Sequence, residues 1–222
     1  MALARLVTQW PWLPIAAITL LALALRVPCL DCHSLWYDDI VSIEPASRGL
    51  DAIFNDRFGW MRTQTSFYYS LVWLTLQPLD PAVSAVLVRL PSALAGALTP
   101  LVVFGLGREL FGRTQGLLAA LLSALSVVSL DFSEDVRPYA LLLFGTTLMV
   151  YCLVRAERTR TRWWWAAFAL SGSVNVLLSY YVVNLVIPAL APYFVWLLWK
   201  GWQARRTDAQ LAGSIKNGRG KL

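Results

Sequence analysis

The sequence contains few charged side chains and a single histidine. Only 14% of its 222 residues are charged, against about 25% in an ordinary soluble domain. Because His33 stands alone, a His-based metal cluster is excluded, and any metal would need oxygen ligands. The P-loop, G-x-G-x-x-G, G-x-S-x-G and H-E-x-x-H patterns are also missing. The familiar nucleotide-binding, serine-hydrolase and zinc-protease signatures are therefore absent.

Apolar residues take the place of the missing charges. Hydrophobic residues make up 58% of the chain, and the mean hydropathy is +0.57. They come in runs close to the roughly 20 residues that cross a hydrocarbon core of about 30 Å. This pattern predicts an all-α, polytopic transmembrane helix bundle. The runs are 11–30, 66–79, 84–106, 115–130, 138–154, 163–179 and 181–199.

The charges between these runs predict the orientation. Basic residues concentrate in 107–114, in 155–162 and in the tail from Lys200, whereas acidic residues concentrate in 31–65 and 131–137. The positive-inside rule makes the basic segments cytoplasmic, so the net charge of +6 does not indicate nucleic-acid binding. All loops take their expected side if run 66–79, about 21 Å as a helix, does not cross. We predict six crossings with both termini inside.

The first outer loop is too long to be a simple connector. Leu50, Ile53, Phe54 and Phe58 recur in it at helical spacing, which predicts an amphipathic helix on the membrane surface. We therefore expect a transmembrane module over 1–200, with juxtamembrane helices in 31–83. The basic remainder, 201–222, is predicted to be a disordered cytoplasmic tail.

Two adjacent carboxylates, Asp38 and Asp39, follow Ser34-Leu35-Trp36-Tyr37 in this outer loop. Partial desolvation and mutual repulsion would make one of them a better proton acceptor, suited to a general base or to cation binding. The alternative is that one of them caps the helix that follows while the other is solvated.

The second outer segment, Ser133 to Tyr139, combines Glu134 and Asp135 with Arg137. Arginine is well suited to hold a phosphate through paired hydrogen bonds. Ser133 or Asp135 could instead be the N-cap of a helix that begins near Pro138. The two roles do not exclude each other.

Ionisable groups are scarce inside the apolar runs. Arg26 and Arg89 lie near run ends and are expected to extend toward the interface. A transporter or proton pump usually places charges at mid-membrane, so this class is disfavoured.

Cys29-Leu30-Asp31-Cys32-His33 matches the C-x-x-C-H pattern of c-type haem attachment. No methionine stands nearby as a second ligand, and nothing else in the sequence indicates electron transfer. A membrane-tethered cytochrome is therefore a remote alternative, beside a redox pair or two incidental cysteines.

Seven segments in a fixed order carry a resemblance to a known family. They are Arg26 at the end of the first helix, Ser34–Asp39 (S-L-W-x-D-E in the family), Ser66–Tyr69 (the end of H-P-P-x-Y-Y), Arg89–Leu94 (R-L-P-S-A-L), Gly107–Gly112 (G-R-x-L-F-G), Ser133–Tyr139 (S-Q-E-A-R-P-Y) and Ser179–Tyr181 (T-H-Y). The sequence resembles the membrane-embedded glycosyltransferases of the GT-C class. The similar group is the family-39-like one, which includes protein O-mannosyltransferases and lipid A aminoarabinose transferases.

The resemblance implies sugar transfer from a polyprenyl-phosphate carrier to a lipid, glycan or protein acceptor, with inversion at the anomeric carbon. It implies a bacterial inner-membrane enzyme whose active site is periplasmic or extracellular. Asp38, with Asp39 beside it, would be catalytic, and Arg137 or, more weakly, Arg62 would stabilise the leaving phosphate. The cofactor stays open: a divalent cation among Asp38, Asp39 and Asp135 is one option. The other substrate-binding candidates are Glu134, Asp135, Tyr139, Tyr180 and Tyr181.

The sequence also departs from the family pattern. Thr65-Ser66 stands where His-Pro-Pro is usual, and Tyr180 stands where a histidine is usual. Family members are commonly longer, with further helices. The alternative function is therefore a truncated or non-catalytic module that binds polyprenyl phosphate or serves as one subunit of a split enzyme.

Overall fold

The structure is a computed structural model that describes residues 11–30, 34–55, 65–76, 81–180 and 190–203, together with 182 and 206. In these ranges all regular secondary structure is helical, which confirms the predicted all-α class. The helices are α1 (Leu13–Arg26, followed by a 3-10 turn at Val27–Cys29), α2 (Tyr37–Ser47), α3 (Leu50–Asn55), α4 (Ser66–Leu76), α5 (Pro81–Phe111), α6 (Arg113–Ala124), α7 (Val127–Glu134), α8 (Tyr139–Thr159), α9 (Arg162–Leu178) and α10 (190–203).

Two of the described helices are long and apolar enough to cross a membrane. They are Val86–Phe111 within α5 and α8, and the pair α6–α7 would be a third span if its two helices, bent by 51°, cross together. Helix α4 has 11 residues, or about 16 Å at 1.5 Å per residue. That length agrees with the predicted non-spanning helix. The count of six crossings stays a prediction.

The break between α6 and α7 changes the second outer segment. Ser126 caps α7, its hydroxyl accepting the Ser129 N–H at 3.4 Å, and α7 then continues to Glu134. The predicted loop 131–137 is therefore wrong in its first half and shrinks to 135–138. The N-cap interpretation of Ser133 and Asp135 is also wrong, because Pro138 occupies the N-cap position of α8.

The helices of the first outer loop pack against the bundle instead of standing apart from it. Ile53 of α3, Tyr68 and Tyr69 of α4, Val88 of α5 and Val136 share one buried cluster. The predicted helix around Leu50 is confirmed over 50–55, while Phe58 lies outside the described residues. Its Ile53 faces protein and its Phe54 is exposed. The loop is thus a packed layer that covers one end of α5.

Arg26 lies inside this bundle. Its guanidinium donates from Nε to Ser133 Oγ at 3.0 Å and from Nη2 to Ser129 Oγ at 2.9 Å, and it is fully buried. The expectation that Arg26 extends to the interface is wrong, because α7 supplies two hydroxyl acceptors. Gly96 of α5 provides the space for this contact, because a Cβ at residue 96 would lie 2.1 Å from Ser133 Oγ.

The chain divides into two compact units, residues 1–180 and 181–222. The described part of the second unit is mainly α10, an apolar helix with exposed Leu198 and Trp199. Lys200 Nζ lies 4.1 Å from the Trp196 ring centroid, a cation–π geometry. Helix α10 continues to residue 203, and most of the predicted tail lies outside the described residues.

The G-R-x-L-F-G segment makes a tight hairpin between α5 and α6. Gly112 adopts a φ of +102°, which favours glycine. A Cβ on Gly116 would lie 2.8 Å from the backbone nitrogen of Arg108 and 2.9 Å from the carbonyl oxygen of Phe104. Both neighbours are backbone atoms, so the two helices approach closely only because residue 116 has no side chain.

Gly116→Ala is therefore expected to destabilise the protein. Overpacking costs about 1–3 kcal/mol and outweighs the gain of about 0.5–1 kcal/mol from replacing a helical glycine. Thermal unfolding in detergent micelles would measure the difference. The matched control is Gly201→Ala in α10, where a Cβ meets nothing within 4 Å of the described chain. A Gly116→Ala protein as stable as that control would contradict the close approach.

Candidate functional site

Asp38 and Asp39 lie in the first turn of α2, where the helix dipole favours carboxylates. Successive residues of a helix point about 100° apart. The two carboxylates consequently face different surroundings: the Asp38 side chain is 68% exposed, whereas that of Asp39 is 2% exposed. Two residues that look equivalent in the sequence are physically distinct.

Asp39 is a buried hydrogen-bond hub. Its Oδ1 accepts the Val136 N–H at 2.8 Å, and its Oδ2 accepts the Trp36 N–H at 3.2 Å and the Arg89 Nη2 at 3.3 Å. The bond from Trp36 satisfies the start of α2, where Trp36 is the N-cap and Asp39 is the third helical residue. The alternative that one of the aspartates is the N-cap is therefore wrong. This carboxylate joins α2, α5 and the 135–138 segment.

Arg89 is buried beside Asp39 and does not extend to the interface as expected. It donates to the carbonyl oxygens of Leu30 at 2.8 Å and Ser34 at 3.4 Å. These acceptors come from the segment that follows α1, which covers the start of α5. One carboxylate and two carbonyl oxygens therefore offset the free-energy cost of burying the guanidinium.

Asp38 forms an ion pair with Arg137. The distance from Arg137 Nη2 to Asp38 Oδ1 is 3.0 Å, and the arginine side chain is only 6% exposed. Ser92 of α5 donates to the Arg137 carbonyl oxygen at 3.3 Å, which holds this backbone against the bundle. The structure thus brings together the two outer segments from which the sequence predicted a common site.

The same two outer segments, together with α5 and α7, line a cleft of about 260 Å³. Its lining includes Trp36, Arg89, Asp131, Glu134 and Asp135. Desolvation raises the pKa of Asp135, and the carboxylates of Asp39 and Asp131 raise it further. A half-buried acid that retains its proton more readily than usual therefore lines the cleft.

The other predicted site residues are less closely associated. Tyr139 is partly exposed, with its ring centroid 5.1 Å from that of Phe132. Tyr180 is exposed just beyond α9. Arg62 and Tyr181 lie outside the described residues, as do Asp31, Cys32 and His33 of the C-x-x-C-H pattern.

The two departures from the family pattern are neighbours in space. Thr65 Oγ1 donates to the carbonyl oxygens of Leu177 and Leu178, at 3.3 Å for the latter. Leu178 is two residues before Tyr180. The Thr65 and Tyr180 segments therefore belong to one region, at the junction between α4 and the end of α9.

Three residues at the site were not predicted from the sequence as site residues: Trp36, Arg89 and Tyr68. Arg89 and Trp36 line the cleft. Tyr68 is buried, and burial raises its pKa although the positive charge of Arg137 lowers it in part. All three residues belong to motif segments that resemble the family pattern. Membership of these motifs is the signal by which the sequence could have identified them.

A cation site built from Asp38, Asp39 and Asp135 does not fit these contacts. Both oxygens of Asp39 accept hydrogen bonds, and Asp38 pairs with Arg137. Among the described residues, no three Asp, Glu, His or Cys side chains gather in a way that could hold a metal ion.

The fold and the site define an integral membrane protein of helices with a charged site at one end of its bundle. A family model described as dolichyl-phosphate-mannose-protein mannosyltransferase matches residues 80–213, more than half of the chain. The protein belongs to this family, and the GT-C resemblance is confirmed. The family gives it a glycosyltransferase function in general terms, with a lipid-linked sugar donor and an acceptor. No curated protein and no solved structure matches the chain.

Proposed function

We propose that the protein transfers a sugar from a polyprenyl-phosphate carrier to an acceptor at the periplasmic face of a bacterial inner membrane, with inversion and with Asp38 as catalytic residue. The observation that carries the proposal is the pair of exposed Asp38 and nearly buried Arg137, whose side chains lie 3.0 Å apart. The two segments that hold this pair also contribute Trp36, Glu134 and Asp135 to the lining of the cleft. A general base must be reachable by substrate, and of the two adjacent carboxylates only Asp38 is exposed.

In the proposed reaction, Asp38 takes the proton of the acceptor hydroxyl or amine. The acceptor atom then bonds to the anomeric carbon from the side opposite the carrier. The bond from that carbon to the phosphate oxygen breaks, and polyprenyl phosphate leaves with the electron pair. Arg137 stabilises the negative charge of this leaving group.

The ion pair suggests how donor binding prepares the base. A lipid phosphate that binds Arg137 competes with Asp38 for the same guanidinium. Asp38 then loses its partner and turns toward the acceptor. Arg137 itself stays in place, because its backbone is held by Ser92 and the adjacent Val136 N–H is held by Asp39.

Arg137→Ala should weaken carrier binding at least tenfold, because the charge-assisted hydrogen bonds to the phosphate are lost. Native mass spectrometry of the purified chain with added undecaprenyl phosphate would measure the retained lipid. Arg48→Ala is the matched control, since Arg48 is exposed and forms an ion pair with Glu44 one turn earlier in the sequence.

Equal retention by the Arg137→Ala and wild-type proteins would remove Arg137 from the donor site. Carrier binding without transfer to any tested acceptor would instead favour the non-catalytic module.

A further inference from the structure

Arg108 lies at the end of α5 opposite the proposed active site. It is 19 residues beyond Arg89 on the same helix (108 − 89 = 19), or about 28 Å at 1.5 Å per residue. Arg108 lies where α5 ends and the hairpin to α6 begins. What this arginine does is independent of the proposed sugar transfer.

The arginines around it differ in their partners. Arg155 and Arg158 both pair with Glu109, at 2.7 Å and 3.4 Å. Arg108 is exposed and has no acidic partner among the residues the structure describes. Glu109, the next residue in the sequence, thus pairs with these two arginines and not with Arg108.

Two apolar clefts meet at Arg108. The first, of about 450 Å³, is lined by Trp12, Ile15 and Phe104, with Arg108 and Arg113 at its polar edge. The second, of about 310 Å³, includes Leu101, Leu148 and Tyr151 and shares Phe104 and Arg108 with the first. Its lining also contains Glu109, whose carboxylate is paired with Arg155 and Arg158. Arg113 donates to the Pro11 carbonyl oxygen at 2.8 Å, which holds its guanidinium beside the first cleft.

We propose that this end of the bundle binds an anionic diacyl phospholipid. Its phosphate lies against Arg108 and Arg113, and its two acyl chains occupy the two clefts on either side of Phe104. Arginine binds phosphate through paired hydrogen bonds, and the first cleft has no acidic residue in its described lining. A free phosphate would leave both apolar clefts unfilled, whereas a diacyl lipid matches two clefts that share one cationic edge.

The test compares two lipids with identical chains, palmitoyl-oleoyl phosphatidylglycerol and palmitoyl-oleoyl phosphatidylcholine, by native mass spectrometry of the full chain. We expect the wild-type protein to retain the glycerol lipid about tenfold more than the choline lipid. The Arg108→Gln/Arg113→Gln variant should retain both equally. The control is Arg160→Gln, since Arg160 is an exposed cation in the α8–α9 connection outside both clefts. It should change retention by less than twofold.

Equal retention of the two lipids by the wild-type protein would overturn the proposal. So would an equal loss in Arg160→Gln, which would indicate a diffuse basic surface. If the double variant does not fold, Arg108→Gln carries the same test, because the exposed side chain makes no ion pair with the described part of the chain that the variant would break. A loss of at least fivefold is expected for it, and no loss would overturn the site.

Discussion

Asp38→Asn should lower the rate of sugar transfer by about 10²–10⁴-fold, the range that a general base contributes. The amide keeps the shape of the side chain and cannot take the acceptor's proton. Carrier retention should stay at or above the wild-type level, because Arg137 loses a competing carboxylate. Transfer would be followed with a radiolabelled polyprenyl-phosphate sugar in proteoliposomes, and retention by native mass spectrometry.

The control for this variant is Asp51→Asn, an exposed carboxylate in the first turn of α3. It should leave the rate within about twofold of wild type, because a single base is assigned to the reaction. Wild-type transfer by Asp38→Asn would show that another group takes the proton. Loss of both transfer and carrier retention would place Asp38 in donor binding.

Asp39→Ala should mainly lower the stability of the protein, whereas substitution of Asp38 should mainly lower the rate of transfer. The substitution leaves the buried Arg89 without its carboxylate and frees the N–H groups of Trp36 and Val136. Removal of one partner from a buried ion pair costs about 3–5 kcal/mol. We expect a clearly lower unfolding temperature in detergent micelles, with partial rescue in Asp39→Asn, whose carbonyl oxygen still accepts one hydrogen bond.

Asp38→Ala is the matched comparison at the neighbouring position. An ion pair with one exposed partner contributes about 0–1 kcal/mol, so its unfolding temperature should stay close to that of the wild type. Substitution of Asp38 should therefore affect activity and leave stability nearly unchanged, whereas substitution of Asp39 should reduce stability. An Asp39→Ala protein that unfolds at the wild-type temperature would contradict the role of Asp39 as a structural hub.

The sequence by itself determined the helical class and the separation of charge. In a long apolar run the backbone N–H and C=O groups must bond to each other within a helix, because lipid offers them no partners. The charged residues are then left toward the helix ends, as Arg89 and Arg108 are in α5. The order of the motifs determined the family, which the match over residues 80–213 confirms. The alternation of acidic and basic connections, independently of the motifs, predicted that the Asp38 and Arg137 segments face the same side.

Only the tertiary structure decided which charged groups are buried. Asp39 differs from Asp38 because Arg89, 50 positions away, and Val136, 97 positions away, bind it. Arg26 is buried because α7 bends away from α6 and brings Ser129 and Ser133 to it. Periodicity reports which face of a helix is apolar, and it carries no information about which distant hydroxyl or carboxylate meets a cation. The free energy of such a charge depends on those partners, so its role is fixed only when the helices pack.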